Sequence, residues 1–114
     1  MANSYRNIMV ADATTNVETI YTCPAETVAI VKSLSAYNTH ASSAASWILK
    51  LYDAGNTASY VYKGITTVTA ATKVEFVRGD ESTLIVLEEG DKIQFQTTVT
   101  SANLFVSVLQ QDRT

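Results

Sequence analysis

The sequence is short of the residues from which most catalytic and metal sites are built. Its 114 residues include one histidine, His40, and one cysteine, Cys23. A zinc or transition-metal site uses several His, Cys or carboxylate ligands at set spacings, and a nucleophilic thiol needs a base beside it. We therefore expect no enzyme activity, no cofactor and no metal ion.

A single cysteine also excludes an intrachain disulfide, so the fold does not depend on an oxidising compartment. Cys23 precedes Pro24, the only proline, and follows a strand-like segment. Free cysteine at such a place usually behaves as a small buried hydrophobe. We expect a packed thiol rather than a reactive one.

Positive charge is sparse and scattered. Charged residues make 17% of the chain, the net charge is −3, and the eight Lys and Arg residues do not cluster. Nucleic acids and anionic membrane surfaces require clustered positive charge. No apolar run has the length of a membrane span, and the polar residues within Met1–Val10 argue against a signal peptide. We expect neither nucleic acid nor a membrane as a partner.

Acidic residues do cluster, in two groups: Asp80 with Glu81, and Glu88 with Glu89 and Asp91. Two hypotheses fit them. Carboxylates brought together across a hairpin can hold calcium, but the spacing matches no calcium loop. The better interpretation is a solvated turn.

What the sequence has in abundance is strand-forming residues. Val, Ile and Thr account for 35 residues and the aromatics for ten more, and both groups favour strands. Ile93 and Phe95 alternate with polar residues, which is typical of a half-buried strand. Trp47 and Leu49 share one face of another. Leu104, Val106 and Val108 alternate with Phe105, Ser107 and Leu109, which predicts a strand covered on both sides.

Turn signals rich in Gly, Asp and Asn separate these segments. The seven-residue stretch from His40 to Ser46 is interpreted as a loop, since so short a helix is marginal. The chain is predicted to be a single all-β domain over residues 1–114, an antiparallel β-sandwich or jelly roll of about eight strands. The predicted strands are Tyr5–Val10, Val17–Cys23, Thr27–Leu34, Trp47–Tyr52, Ala58–Lys63, Thr67–Val77 with a break inside, Thr83–Leu87, Lys92–Gln96 and Leu104–Leu109.

The aromatic residues suggest contact surfaces. Six tyrosines against three phenylalanines is a high ratio for a small core, and tyrosine is favoured in interfaces because it combines apolar area with a hydrogen-bonding tip. The alternatives are a protein contact, a sugar-stacking platform, or ordinary strand edges with their hydroxyl groups in water. The candidate contact residues in the middle of the chain are Tyr37, Trp47, Tyr52, Tyr60 and Tyr62.

The first sixteen residues have weaker patterning. Tyr5, Ile8 and Val10 are apolar, and a small polar stretch follows. Residues 1–16 are either an arm that adds a strand to a neighbouring molecule or the first strand of the sandwich, and these three side chains are candidate contacts. Terminal strands with neither Pro nor Lys leave sheet edges that need cover. We expect both Tyr5–Val10 and Leu104–Leu109 to be such edges and the protein to self-associate.

Three segments resemble a known group of proteins. Thr19–Leu34, reading TIYTCPAETVAIVKSL, is similar to the opening of small virion structural proteins of tailed phages, notably marine ones. Leu87–Ile93 resembles the acidic turn before their penultimate strand, and Leu104–Leu109 resembles their closing strand. The resemblance spans most of the chain. Cys23 stands where the group usually has Val, and the tyrosine-rich middle has no counterpart in it.

The resemblance implies a phage virion structural protein. The favoured role is a capsid decoration or cement protein on the capsid surface, bound to the major capsid protein as a homo-oligomer, with a trimer favoured. The alternative is a tail, neck or fibre module that binds another virion protein or a host glycan.

Overall fold

The computed structural model of the chain describes residues 3–13, 15–40, 42–77, 85–98 and 102–112. Within these residues every regular element is a strand. The strands are β1 (Asn3–Ala13), β2 (Glu18–Thr22), β3 (Thr27–Asn38), β4 (Ala45–Asp53), β5 (Ala58–Val68), β6 (Lys73–Val77), β7 (Ile85–Leu87), β8 (Lys92–Thr97) and β9 (Ala102–Asp112).

The strands form two antiparallel sheets. One has the order β1-β9-β3-β6 with β7 also on β3, and the other has the order β2-β8-β4-β5. β6 and β7 pair with successive stretches of β3 and so occupy one position in the sheet between them. With those two counted as one, the order is that of an eight-stranded jelly roll. The predicted all-β antiparallel sandwich or jelly roll is confirmed, and the ninth strand comes from this divided position.

The centre of the five-stranded sheet is the long pairing of β3 with β9. Their partners run from Thr27 opposite Asp112 to Asn38 opposite Ala102, with one register shift between Val31 and Ser33. β9 therefore lies between β1 and β3. The expectation that Leu104–Leu109 forms a sheet edge is wrong, because both sides of that strand are hydrogen-bonded. β1 is an edge, as expected.

The core lies between the sheets and takes one face of most strands, while β5 is largely exposed and contributes Val68 as its buried residue. Trp47 and Phe95 of the four-stranded sheet meet Phe76 of the five-stranded sheet, with ring centroids 5.6 to 6.3 Å apart. Tilted and edge-on contacts of this kind suit the charge distribution of aromatic rings. The core excludes water from Trp47 completely.

A buried asparagine joins the two sheets near one end of the sandwich. Asn38, at the end of β3, donates from Nδ2 towards the carbonyl oxygens of Ser43, Val68 and Thr69 at 3.2 to 3.3 Å. Its Oδ1 accepts the backbone N–H of His40 at 3.0 Å. A buried amide is stable only when its polar atoms are paired in this way. Val68 ends β5, so the side chain links one sheet to the other.

At the opposite end, Cys23 packs beneath the turn between β7 and β8. Its side chain is buried, with Sγ 3.3 Å from the carbonyl oxygen of Thr27. Its backbone exchanges hydrogen bonds with Asp91 and Gly90 at 2.9 and 3.0 Å. The expectation of a packed thiol is confirmed.

Candidate contact surface

β1 carries the most exposed apolar side chains of the five-stranded sheet. Tyr5 is 75% exposed and Met9 is 73% exposed. Successive side chains of a strand point to opposite faces, so these two face away from the core. Ile8 and Val10 alternate with them and pack partly buried against the core. The strand is thus anchored by one face and open on the other.

The register of the sheet extends this exposure across four strands. Tyr5 lies opposite Leu109 of β9, Leu109 opposite Ile30 of β3, and Ile30 opposite Val86 of β7. Directly paired residues project from the same face. The four side chains therefore form a continuous outward-facing row that ends in Val86, which is 58% exposed.

A second, shorter row runs beside the first. Met9 lies opposite Phe105, whose ring is 42% exposed. Between the rows, the Ser107 hydroxyl donates to Asn7 Oδ1 at 2.9 Å. We call the six apolar residues of both rows the outer apolar face: Tyr5, Met9, Ile30, Val86, Phe105 and Leu109.

The predicted double cover of β9 is found on one side only. Leu104, Val106 and Val108 are buried, while Phe105 is exposed. A strand with apolar residues on both faces is typical of a sheet that is covered on both faces. Within the described residues, the inner face of β9 is covered and Phe105 on its outward face is exposed to solvent.

The outward face of the four-stranded sheet differs in chemistry. Lys92 Nζ sits 4.9 Å from the centre of the Tyr52 ring, and the Ser59 hydroxyl donates to Gln94 Oε1 at 2.9 Å. Lys50 lies opposite Gln94 in the same face. Val61 of β5 lies opposite Lys50 and is 63% exposed on this face. Its neighbours Lys50 and Gln94 are polar, so the described residues of this face form no apolar row comparable to that of the other sheet.

The two long edge strands also differ. β1 keeps an unbroken register with β9 from Asn3 to Val10. β5 shifts register twice against β4, between Ala45 and Trp47 and between Leu49 and Lys50. β-bulges of this kind bend a strand and obstruct further pairing. β1 offers a straight pairing edge, and β5 does not.

The predicted contact residues fall into separate places. Tyr5 belongs to the outer apolar face, while Ile8 and Val10 lie behind it. Tyr37 is half-buried on the outward face of β3, opposite Asn103 and Lys73.

Tyr52, Tyr60 and Tyr62 lie on the β4–β5 hairpin, and Tyr60 and Tyr62 are 54% and 40% exposed. Trp47 as a contact residue is wrong: it shares a face with Leu49, and that face forms the core.

Sequence reasoning missed most of the outer apolar face. Met9, Val86 and Phe105 are exposed, yet none was a candidate. The available signal was the two-faced apolar pattern of β9, which predicts a cover on its outer side. What joins the six residues is the register between strands distant in sequence, and no local pattern contains it.

Two acidic residues of the β7–β8 turn, Glu89 and Asp91, have structural roles. Asp91 accepts backbone N–H groups from Ala54 and Glu88, both at 3.0 Å, and Glu89 accepts the N–H of Glu26. These bonds hold the β7–β8 turn against two other loops. They agree with the interpretation of this acidic group as a turn. Asp80 and Glu81 lie outside the described residues. In the described ranges, no group of three His, Cys, Asp or Glu side chains is placed to hold a metal ion.

The described ranges include no helix long and apolar enough to cross a membrane. Comparison with known families finds no matching family model, and no curated protein matches the sequence. Among solved structures, the chain is similar to a protein from work entitled "Bacillus endospore appendages form a novel family of disulfide-linked pili". The two share 10% sequence identity over 98% of this chain and 89% of the other, with a TM-score of 0.55. At that identity the similarity is one of fold.

Proposed function

We propose that this protein is a structural subunit of a multi-copy assembly, namely a virion protein of a tailed phage that decorates and stabilises the capsid. It binds through the outer apolar face, and the major capsid protein is the favoured partner. The observation that carries the proposal is the outward-facing row of apolar side chains across four strands of one sheet, which is exposed at both ends in Tyr5 and Val86 and half-buried between them. The protein is not an enzyme in this proposal, and its place is the capsid surface.

The physical argument concerns the free energy of leaving such a face in water. Each buried Å² of apolar surface contributes roughly 25 cal/mol, and contiguous exposed apolar patches in soluble proteins mark interaction sites. Tyr5, Met9 and Phe105 belong to the residue types enriched in protein interfaces. A partner that covers them gains this energy.

Two further points support the proposal. Thr19–Leu34, the segment that resembles virion proteins, runs from β2 through most of β3, and β3 contributes Ile30 to the outer apolar face. A similar fold occurs in a protein described as forming pili, so a sandwich of this kind can serve as a repeating subunit.

One observation favours the alternative, a tail, neck or fibre module that binds another virion protein or a host glycan. Tyr60 and Tyr62 are exposed on the β4–β5 hairpin, and Tyr52 lies on the same hairpin, opposite Ser59. Aromatic rings at such a tip suit a sugar face or a protein pocket. This version places the contact on the four-stranded sheet, so the two candidates make opposite predictions for substitutions.

Attachment of purified protein to particles that lack it separates the two. We expect Tyr5→Ser with Met9→Ser to abolish attachment, since buried contacts of this kind cost about 1–2 kcal/mol each. The matched control is Tyr60→Ser with Tyr62→Ser, which should attach like the unmodified chain. Both variants alter side chains that are exposed in the single subunit, so the free energy of unfolding measured at dilution on monomeric protein should change by about 0.5 kcal/mol or less.

The copy number of the chain in purified particles completes the test. A decoration protein is present in numbers comparable to the major capsid protein, while a neck or tail protein is a small fraction of it. Loss of attachment only in the hairpin variant, together with a low copy number, would contradict the decoration role and favour the alternative.

A further inference from the structure

β1 ends the five-stranded sheet with an unpaired side. In the described part of the chain its only partner strand is β9. The strand is 11 residues long, and its register is unbroken over Asn3–Val10. Alternate backbone N–H and C=O groups of such a strand point away from the sheet and favour pairing with another chain.

The other described sheet edges carry features that oppose pairing. β5 has two register shifts, and β2 has 5 residues with a shift between Thr19 and Tyr21. β6 and β7 have 5 and 3 residues. Arg6 is the one charged residue between Asn3 and Ala11. It lies on the inward-facing side of β1, close enough to Tyr21 of the other sheet to act on its hydroxyl group electrostatically.

We propose that β1 pairs antiparallel with β1 of a second copy of this chain, about a twofold axis that passes between the two Asn7 residues. In this register Tyr5 of each copy lies opposite Met9 of the other, and Ser4 lies opposite Val10. The inference deepens the proposed function, because it names a second copy as the partner of one edge of the subunit.

Side-chain chemistry selects this register from its neighbours. Two β1 strands related by a twofold axis can change register only in steps that keep the paired residues on the same face of the sheet. The next register in one direction places Arg6 opposite Arg6, and like charges directly opposite are destabilising. The next register in the other direction places Tyr5 opposite Ala11. It is disfavoured because it needs pairing by residues beyond Val10, where the register of β1 with β9 shifts.

The Asn7-centred register pairs the two most exposed side chains of the strand. A methionine sulfur beside an aromatic ring is a favourable contact. The twofold symmetry forms this contact between Tyr5 and Met9 twice in each dimer. Both outer apolar faces then lie on the same side of one continuous sheet. The dimer presents a face twice as wide as that of the single subunit to a larger partner.

This arrangement differs from the trimer that the sequence resemblance implies. An isologous pairing uses the same edge on both subunits and closes after two. In a cyclic trimer, β1 of each subunit must pair with a different edge strand of the next subunit. The other edge strands described above are short or bulged.

Cysteine cross-linking reads the register directly. Residues that face each other across an antiparallel pair have Cα atoms about 4.5–5.5 Å apart, within disulfide range. Asn7→Cys should therefore cross-link to a covalent dimer under mild oxidation. Tyr5→Cys alone and Met9→Cys alone should not, since identical residues four positions off register are roughly 14 Å apart. A mixture of those two variants should cross-link. The unmodified chain, with its buried Cys23, is the background control.

Native mass and charge variants test the same pairing without covalent chemistry. The unmodified chain should sediment as two 12.4 kDa subunits. Asn7→Lys and Asn7→Asp should each be monomeric because like charges meet at the axis, and their mixture should restore the dimer. Val61→Lys places the same charge on β5 and should leave the dimer intact. Circular dichroism verifies that each variant is folded.

A monomer at every concentration, a trimer, or Asn7→Cys that remains uncross-linked would overturn the inference. Failure of the proposed function is a separate result. A dimer that forms as described but does not attach to particles would contradict the decoration role and leave the β1 pairing intact. Attachment by a strictly monomeric chain would contradict the β1 pairing and leave the decoration role intact.

Discussion

The two sheets of this protein have similar inner faces and different outer faces. Each inner face alternates buried apolar residues, with Trp47, Leu49 and Phe95 on one side of the core and Leu34 and Leu104 on the other. Outward, the four-stranded sheet shows lysine, glutamine, a tyrosine that contacts a lysine, and one strongly exposed apolar residue, Val61. The five-stranded sheet shows the outer apolar face.

This difference separates the residues that folding requires from those that it does not. The inner faces must bury apolar area for the sandwich to exist at all, so both are alike. Folding of one chain places no such demand on an outer face, where polar residues give better solubility. The outer apolar face and the straight β1 edge occur together on one sheet, which fits a single assembly surface.

Cutting the link between the sheets should have the largest effect. Asn38→Asp replaces the donating amide with an acceptor, which leaves the carbonyl oxygens of Ser43, Val68 and Thr69 facing a carboxylate. We expect a loss of about 3 kcal/mol in the free energy of unfolding, because each unpaired buried polar group costs about 1–3 kcal/mol. Urea titration should show a lower midpoint with an unchanged slope.

The matched control is Gln94→Glu, in which the carboxylate still accepts from the Ser59 hydroxyl at the exposed surface. It should change the free energy of unfolding by about 0.5 kcal/mol or less. Equal losses in the two variants would show that Asn38 does not link the sheets as described.

A pair of glycines compares the end of the sandwich with the edge of the four-stranded sheet. Gly90 has φ of 86°, and a Cβ added there would lie 2.9 Å from Cβ of Ala54. Gly90→Ala should cost about 2 kcal/mol, since the left-handed conformation alone costs roughly 1–2 kcal/mol for other residues.

At Gly64 of β5, an added Cβ would meet nothing within 4 Å. Gly64→Ala should stabilise the protein by about 0.5 kcal/mol through the lower entropy of the unfolded chain. Thermal melting of both variants measures the contrast. A destabilised Gly64→Ala would indicate that the β5 edge is more constrained than its bulged register suggests.

The smallest effect concerns pH at a contact between the sheets. Tyr21 of β2 accepts a hydrogen bond from the Gln110 amide of β9. Burial raises the pKa of the Tyr21 phenol above its ordinary value of 10.0, against the opposing influence of that bond and of Arg6. Below pH 10.0 the phenol is protonated in both the folded and unfolded states, so its contribution to stability is constant.

Above that pH the unfolded chain loses the proton first, and stability falls until the folded-state pKa is reached. Tyr21→Phe should reduce this alkaline loss, which urea midpoints between about pH 9 and about pH 11 would detect. The same pH dependence in both proteins would show that Tyr21 titrates alike in the folded and unfolded states.

Local patterns were sufficient to predict most of the strands. The alternation of side chains over Lys92–Gln96 and Trp47–Tyr52 correctly predicted β8 and β4, because a half-buried strand produces a two-residue period that is visible in the local sequence. The break expected inside Thr67–Val77 falls between β5 and β6, where Ala71 has a positive φ of 56°. Thr83 and Leu84, assigned to a strand, lie outside the described residues.

Properties that depend on distant residues were not predictable in this way. The alternation that placed Trp47 with Leu49 already indicated the core, but the preference of aromatic residues for interfaces favoured a contact. β9 was taken for an edge because it is near the end of the chain, whereas β1 and β3 pair with it from far away. Predicting the outer apolar face would require three such registers together, those of β1 with β9, β9 with β3 and β3 with β7.

Hydrogen exchange at the two long edge strands tests the central claim most directly, that the five-stranded sheet assembles through β1 while the four-stranded sheet does not. Backbone amides that point outward from β1 are open in the single subunit and hydrogen-bonded after pairing, so their exchange reports assembly residue by residue. We predict that alternate amides within Ser4–Val10 become slower as the protein concentration rises, and that the amides of Tyr60 to Lys63 in β5 stay unchanged. Concentration-dependent protection of β5 with none in β1 would contradict the account.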